Sequence, residues 1–205
     1  MILLRNRITG AEEVGEIASP IDASDVECYV TQWKPISDRK IEELKAAGNY
    51  TREGVAEYNV EDAHWEWPAK VRERAGQLQW NSYALRCAGR TQGLMFVNMV
   101  PRCRLESQKN MHMVYIDLLA TAPWNRTRLS PTPLYRGVGD TLMLEAILLS
   151  SEQEFGGRIG LHALPKAVDF YQNQWGMVCL GPDPNYHELP YFELTTEQAT
   201  EILSS

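Results

Sequence analysis

The stretch Met111–Leu164 constrains the fold more than any other part of this chain. It opens with MHMVYIDLLATAP, apolar at nearly every position after Met113, which predicts a strand covered on both faces. A polar, proline-containing segment, WNRTRLSPTPLY, follows, and then the glycine turn Arg136-Gly137-Val138-Gly139. From Asp140 to Glu154 the residues Leu142, Met143, Ala146, Ile147 and Leu149 form an apolar stripe at helical spacing. Gly156–Leu164, GGRIGLHAL, reads as a second strand. A strand, a helix and a strand joined in this way make a right-handed crossover between parallel strands.

The flanking segments set this unit in a larger sheet. WNSYALRCAGRTQGLMFVNMVPRCRLE gives two β-rich runs about a Gly89–Arg90 turn and predicts a hairpin. After the crossover, PKAVDFYQNQWG reads as a helix with Pro165 at its start, MVCLGPD and HELPYFELT as strands, and TEQATEILSS as a short helix or tail. Upstream, Val26–Ile36 has strand-like composition and stops at a proline. Ser37–Gly48 predicts a helix with Ser37 as N-cap and Gly48 as its stop. Val60–Gly76 looks helical, is interrupted or restarted at Pro68, and closes at Gly76. There is no internal repeat and no low-complexity tract. The expectation is a single mixed α/β domain over residues 1–205, antiparallel at first and locally parallel at the glycine turn.

Composition narrows the function classes. The chain is 44% hydrophobic and 23% charged, as an ordinary globular protein is. No apolar run approaches the ~20 residues of a membrane span, and the opening MILLRNRITGAEEVGE meets acidic residues too soon for a signal peptide. These two features point to the cytoplasm. A net charge of −7 argues against a broad nucleic-acid footprint and mildly favours a cationic partner such as an amine. Cys28, Cys87, Cys103 and Cys179 lie far apart with no C-x-x-C pair, and the four histidines are equally scattered, so neither a disulfide framework nor a metal site is expected.

The glycine turn is where chemistry can begin. Backbone N–H groups and a helix N-terminus converge there, which makes an anion site by geometry and by dipole. Glycine lets the backbone approach a phosphate closely, and Arg136 can add a charge-assisted bond. The turn is not a P-loop, because G-x-x-x-x-G-K-[ST] is absent. Nor is it a dinucleotide fingerprint, since Leu142 stands where G-x-G-x-x-G needs its third glycine. On its own residues the turn could equally be a helix cap packing on a sheet.

The order of the surrounding segments resembles the GNAT-family N-acetyltransferases, which bind acetyl-CoA. Leu119-Ala120-Thr121-Ala122-Pro123 is similar to the end of the family's main strand, and Leu134-Tyr135-Arg136-Gly137-Val138-Gly139 to its glycine turn. Ala167-Val168-Asp169-Phe170-Tyr171, ending at Gly176-Met177, is similar to its last helix. The resemblance covers about Met111 to Met177. It departs from the pattern at Leu134, usually Gln or Arg, at Leu164, commonly Asn, in a longer loop after Pro123, and in a Tyr-to-Gly spacing one residue longer.

The resemblance implies a central mixed, mostly antiparallel sheet with a splayed parallel strand pair, flanked by helices. Residues 1–79 would shape the acceptor site, 80–177 would hold the sheet and CoA-binding core, and 178–205 would close the sheet. Leu119, Ala120 and Thr121 would offer backbone groups to the pantetheine arm and thioester. Tyr135, Arg136, Gly137, Val138, Gly139, Asp140 and Thr141 would take the pyrophosphate. Tyr171 would be the general acid toward the leaving thiolate. Asp117, the carboxylate of the splayed strand, is the candidate general base, with Glu106 and His162 as less favoured alternatives and a water chain as another. Trp124 and Trp175 are more simply read as core than as cleft lining.

The implied activity is transfer of an acetyl group from acetyl-CoA to a primary amine, with no metal. The rival from another class is a non-catalytic acyl-CoA-binding regulatory module, and a plain interaction domain with a glycine cap would bind no CoA at all. The amine acceptor, small molecule or protein, has no signature in the chain. Edge strands near the C-terminus are candidates for pairing two copies into a homodimer.

Overall fold

A computed structural model describes residues Ile2–Ser204. In chain order the elements are β1 (Ile2–Asn6), β2 (Glu12–Ala18), α1 (Ala23–Cys28), α2 (Lys34–Ala46), α3 (Arg52–Glu57), α4 (Trp67–Arg74), β3 (Trp80–Cys87), β4 (Arg90–Asn98) and β5 (Val114–Thr121). They continue with β6 (Tyr135–Arg136), α5 (Val138–Glu152), β7 (Ile159–His162), β8 (Val178–Asp183), β9 (Leu189–Leu194) and α6 (Thr196–Ser204). The strands form one mixed sheet in the order β6-β1-β2-β3-β4-β5-β7-β9-β8. β5 and β7 are parallel, Val114 facing Ile159 and Ile116 facing Leu161. The pairings of β1 with β2 and β6, of β2 with β3, and of β9 with β7 and β8 are antiparallel. The expected fold class holds: a mostly antiparallel sheet with one parallel pair, flanked by helices. No helix among the described residues is long and apolar enough to cross a membrane.

Two compact units make up the chain, Met1–Met95 with Leu119–Leu142, and Phe96–Leu118 with Met143–Ser205. The first is built on Leu4, Trp33, Trp67, Leu85, Leu94 and Leu142, all nearly inaccessible. Its β1–β2 hairpin, which the composition of the opening residues did not announce, turns at Gly10 with φ of +75°. Asn6 shapes that turn by accepting from the N–H groups of Ile8 (2.9 Å) and Thr9 (3.1 Å). The hairpin between β3 and β4 turns on Ala88 and Gly89, both at positive φ (50° and 71°), the backbone that a two-residue turn of this hand requires.

One expected strand is a helix. Val26–Ile36 lies in α1, a π turn at Tyr29–Trp33, and the start of α2. Its buried side chains Asp25, Tyr29, Trp33 and Ser37 recur every four residues, a helical period that outweighs the β-rich composition. The start is fixed by a capping box, Asp22 accepting from the N–H of Asp25 while Asp25 accepts from that of Asp22. Pro35 has no N–H to donate, and the wider π turn before it absorbs the loss, Lys34 N–H reaching Tyr29 O. Ser37 is therefore a buried mid-helix residue and no cap. Gly48, at φ +66°, ends α2 as expected, its N–H bonded to Lys45 O and that of Asn49 to Leu44 O.

The second unit buries Met143, Ile147, Ile159, Leu161, Phe192 and Leu194. Gly157 lies where a Cβ would come within 2.5 Å of Ala199 Cβ, so its bare backbone lets α6 close. The helix expected after Pro165 is a short 3-10 turn, Pro165–Ala167, running into a π turn at Phe170–Gln174.

Candidate active site

The glycine turn joins β6 directly to α5. Gly137 has φ of +89°, a backbone that glycine adopts freely, and helix geometry begins at Val138. Thr141 donates both its N–H and its hydroxyl to Gly137 O, each at 2.9 Å, which closes the first turn of the helix. Val138 is buried and Arg136 exposed. Asp140 sits in the first turn, where its carboxylate favours the helix dipole but opposes an anionic ligand. Any part it plays with a pyrophosphate falls to its backbone.

The loop before the turn is an organised piece of structure. Trp124 donates Nε1–H to Gln92 Oε1 (2.8 Å), Leu134 N–H reaches Trp124 O, and Tyr135 N–H reaches Asn125 Oδ1 (3.0 Å). Its last two residues become β6, pairing Arg5 with Arg136 and Asn6 with Tyr135. The Tyr135 hydroxyl donates to Glu13 Oε2 at 2.6 Å, so this phenol is turned to β2 and is spoken for. Arg126 is buried and paired with Asp62 through two 2.6 Å bonds, and it donates twice to Thr121 O, at 2.8 and 2.6 Å. The Thr121 carbonyl thus has both lone pairs occupied, and only its N–H remains in question for a cofactor.

Strand β5 changes its hydrogen-bonding side along its length. Val114 N–H bonds Arg158 O, just before β7, whereas Ala122 N–H bonds Gln92 O in β4. The two ends of the strand region thus bond to opposite neighbours, β7 at its start and β4 just past its end. Its register with β7 covers Val114–Ile116, while β5 itself runs on to Thr121.

Tyr171 lies in the π turn of the second unit, 7% exposed, with its ring against Phe170 and Phe192. Burial pushes its pKa up, so the phenol keeps its proton through the neutral range. On the other face of β5 and β7 stands a polar group of side chains. Tyr115 OH and His162 Nδ1 are 2.7 Å apart, His162 Nε2 and Asp183 Oδ2 3.0 Å, and Arg104 pairs with Asp183. Asp117 is on the same face as Tyr115, two residues along. Glu106, at the start of a 3-10 turn, pairs with Lys109 at the surface.

No family model matches the sequence, and no curated protein does. Solved structures do match by shape. One is an N-acetyltransferase, PaiA of Thermoplasma acidophilum, in complex with coenzyme A. It is 14% identical with a TM-score of 0.55, and the match covers 88% of this chain and 98% of that one. The fold is that of the GNAT-family acetyltransferases. A second structure with this fold, described as a bacterial toxin, is 17% identical over 71% of this chain and 82% of its own, with a TM-score of 0.50.

Within the GNAT fold, the parts that sequence reasoning passed over are polar and buried. Gln92 is fully buried, and holds Trp124, Asn125 and the Cys87 carbonyl. Arg126, Tyr115 and Asp183 belong with it, and the exposed Arg104 pairs with Asp183. The signal for Tyr115 was its place two residues before Asp117 in an otherwise apolar strand. For Gln92 and Arg126 there was none, because their partners are far away in sequence. Trp124 is 9% exposed, with Arg90 3.7 Å over its ring, and is a core residue. Among the described residues no group of His, Cys, Asp and Glu is arranged to hold a metal ion.

Proposed function

We propose that this chain is an N-acyltransferase that moves an acetyl group from acetyl-CoA to a primary amine by direct attack in a ternary complex. The observation that carries the proposal is the positive-φ turn at Gly137 opening helix α5, downstream of a strand that outruns its parallel partner by five residues, Asp117–Thr121. The turn supplies N–H groups and a helix dipole for the pyrophosphate. Strand backbone that runs past the parallel register suits an extended pantetheine arm.

In this reading the backbone of Arg136 to Thr141 holds the pyrophosphate, with the Arg136 guanidinium adding charge from the surface. Tyr135 anchors the turn through Glu13, and so acts as support. Leu119 and Ala120, with the N–H of Thr121, line the arm and the thioester oxygen. The amine nitrogen bonds to the carbonyl carbon as the carbon–sulfur bond breaks. Tyr171 keeps its proton at neutral pH and gives it to the thiolate. Asp117, the carboxylate of β5, is the candidate base for the proton that the amine loses. An acidic chain surface favours a cationic amine as the acceptor.

Two measurements test the reading. Acetyl-CoA in large excess should raise the melting temperature; no shift would refute it. A panel of primary amines (alkyl amines, amino-acid esters, lysine peptides) should then release free thiol from acetyl-CoA. In that assay Tyr171→Phe should lower turnover about 100-fold while leaving the thermal shift intact. Binding without turnover for every amine would favour a regulatory acyl-CoA-binding module of the same fold.

A further inference from the structure

We infer that Tyr115, His162 and Asp183 form a proton relay that receives the proton given up by the attacking amine. The inference deepens the acyl-transfer reading above and rests on it, and it puts the relay in place of Asp117 as the acceptor of that proton.

The three groups stand in line. Asp183 is a nearly buried carboxylate, its acidity strengthened first by Arg104 and then by the Asn185 N–H and His162, so it is ionised and can only accept. The hydrogen between Asp183 and His162 is therefore on Nε2. Nδ1 is left bare, and the Tyr115 hydroxyl, 2.7 Å away, must be its donor. Burial lowers the His162 pKa against the opposing pull of Asp183, and the ring is neutral at pH 7. Burial likewise raises that of Tyr115, so the phenol carries its proton. A hydroxyl, a neutral imidazole and a carboxylate joined in this sequence pass a proton inward without leaving an unpaired charge.

Packing holds the line in place. Tyr115 faces Gly160 across the parallel pair. A Cβ at Gly160 would come within 2.8 Å of Met113 Sδ and Tyr191 Oη. Tyr186 stacks on the imidazole with ring centres 3.8 Å apart and planes 8° apart. The groups facing His162 are thus Tyr115 and Asp117 from β5, Asp183 from β8, Tyr186 after it, Tyr191 from β9, and Arg104.

The step balances as follows. As the carbon–nitrogen bond forms and the carbon–sulfur bond breaks, one amine proton passes to the Tyr115 oxygen. The proton of Tyr115 passes to His162 Nδ1, and Asp183 holds the resulting imidazolium until it loses a proton to water. Tyr115 is the catalytic residue, while His162 and Asp183 act through it. Asp117, beside Tyr115, adds negative potential that favours the imidazolium.

The test uses the full chain, acetyl-CoA, and butylamine as the probe amine. His162→Gln and Tyr115→Phe should each lower kcat about 100-fold with the KM for acetyl-CoA and its thermal shift unchanged. The double variant should be no slower than the singles, because the pair acts as one unit. Wild-type kcat/KM should fall on the acid side with an apparent pKa below the ordinary histidine value. Asp183→Asn should move that limb to lower pH, and His162→Gln should abolish it. If the His162 variant fails to fold, Tyr115→Phe, which removes one oxygen, carries the test. Wild-type rates and an unmoved acid limb in both variants, with acetyl-CoA still bound, would overturn the relay alone. Failure of the wild-type chain to bind acetyl-CoA would overturn the acyl-transfer reading and the relay with it.

Discussion

A methyl group added at Gly93 would stand 2.8 Å from both Leu142 Cδ1 and Val138 Cγ1. That glycine sets how closely the first turn of α5 lies on β4, and so where the helix end points. Gly93→Ala should cost about 1–3 kcal/mol through overpacking and should also weaken acetyl-CoA binding, both readable from melting curves with and without ligand. Gly139→Glu asks a different question. A carboxylate in the first turn suits the dipole, so the fold should persist, yet a pyrophosphate there would be repelled. The expected result is an unchanged apo melting temperature with the acetyl-CoA shift lost. Asp25 is a purely structural counterpart: it is fully buried and accepts from Arg86 Nε and Nη2, Thr91 Oγ1 and its own cap's N–H. Asp25→Ala should lower stability by about 3 kcal/mol, because a guanidinium loses its buried partner. A denaturant midpoint within error of wild type would refute that.

Among the elements, the segment between β5 and α5 carries the most consequence. Its Arg126 ties the end of β5 to Asp62 and to the Asn59 carbonyl. Arg126→Ala should cost about 3 kcal/mol, since Asp62 is only 13% exposed in the pair, and it should free the Thr121 carbonyl. How much of this was legible from sequence depended on the range of the interaction. The crossover around the glycine turn was readable, because periodicity and turn residues are local. The first long helix is hidden by composition, because Val26, Tyr29, Val30, Thr31 and Trp33 favour strands, while the signals that decide it are the capping box at Asp22 and the four-residue spacing of buried groups. The two residues of β6 were beyond reach, since a pairing with Arg5 and Asn6 leaves no periodic trace.

For the whole molecule, pH is the informative variable. His162 has a folded pKa below its ordinary value, so an unfolded chain binds the extra proton more readily. Its contribution to stability is complete above the usual histidine range and is lost as pH falls through the depressed folded value. Asp183, also depressed, keeps its contribution down to the usual carboxylate range and loses it below. Urea midpoints should therefore fall once as pH drops through and below the usual histidine range and again below the usual carboxylate range, and His162→Gln should remove the upper step. The pairing of β6 with β1 also bears on how the chain is made. Ile2–Asn6 leaves the ribosome long before Tyr135–Arg136 exists, and at about 5–20 residues per second that interval is on the order of ten seconds. Through it the outer edge of the first hairpin stays bare, open to a neighbouring nascent chain. Arrival of the segment before α5 is what closes it.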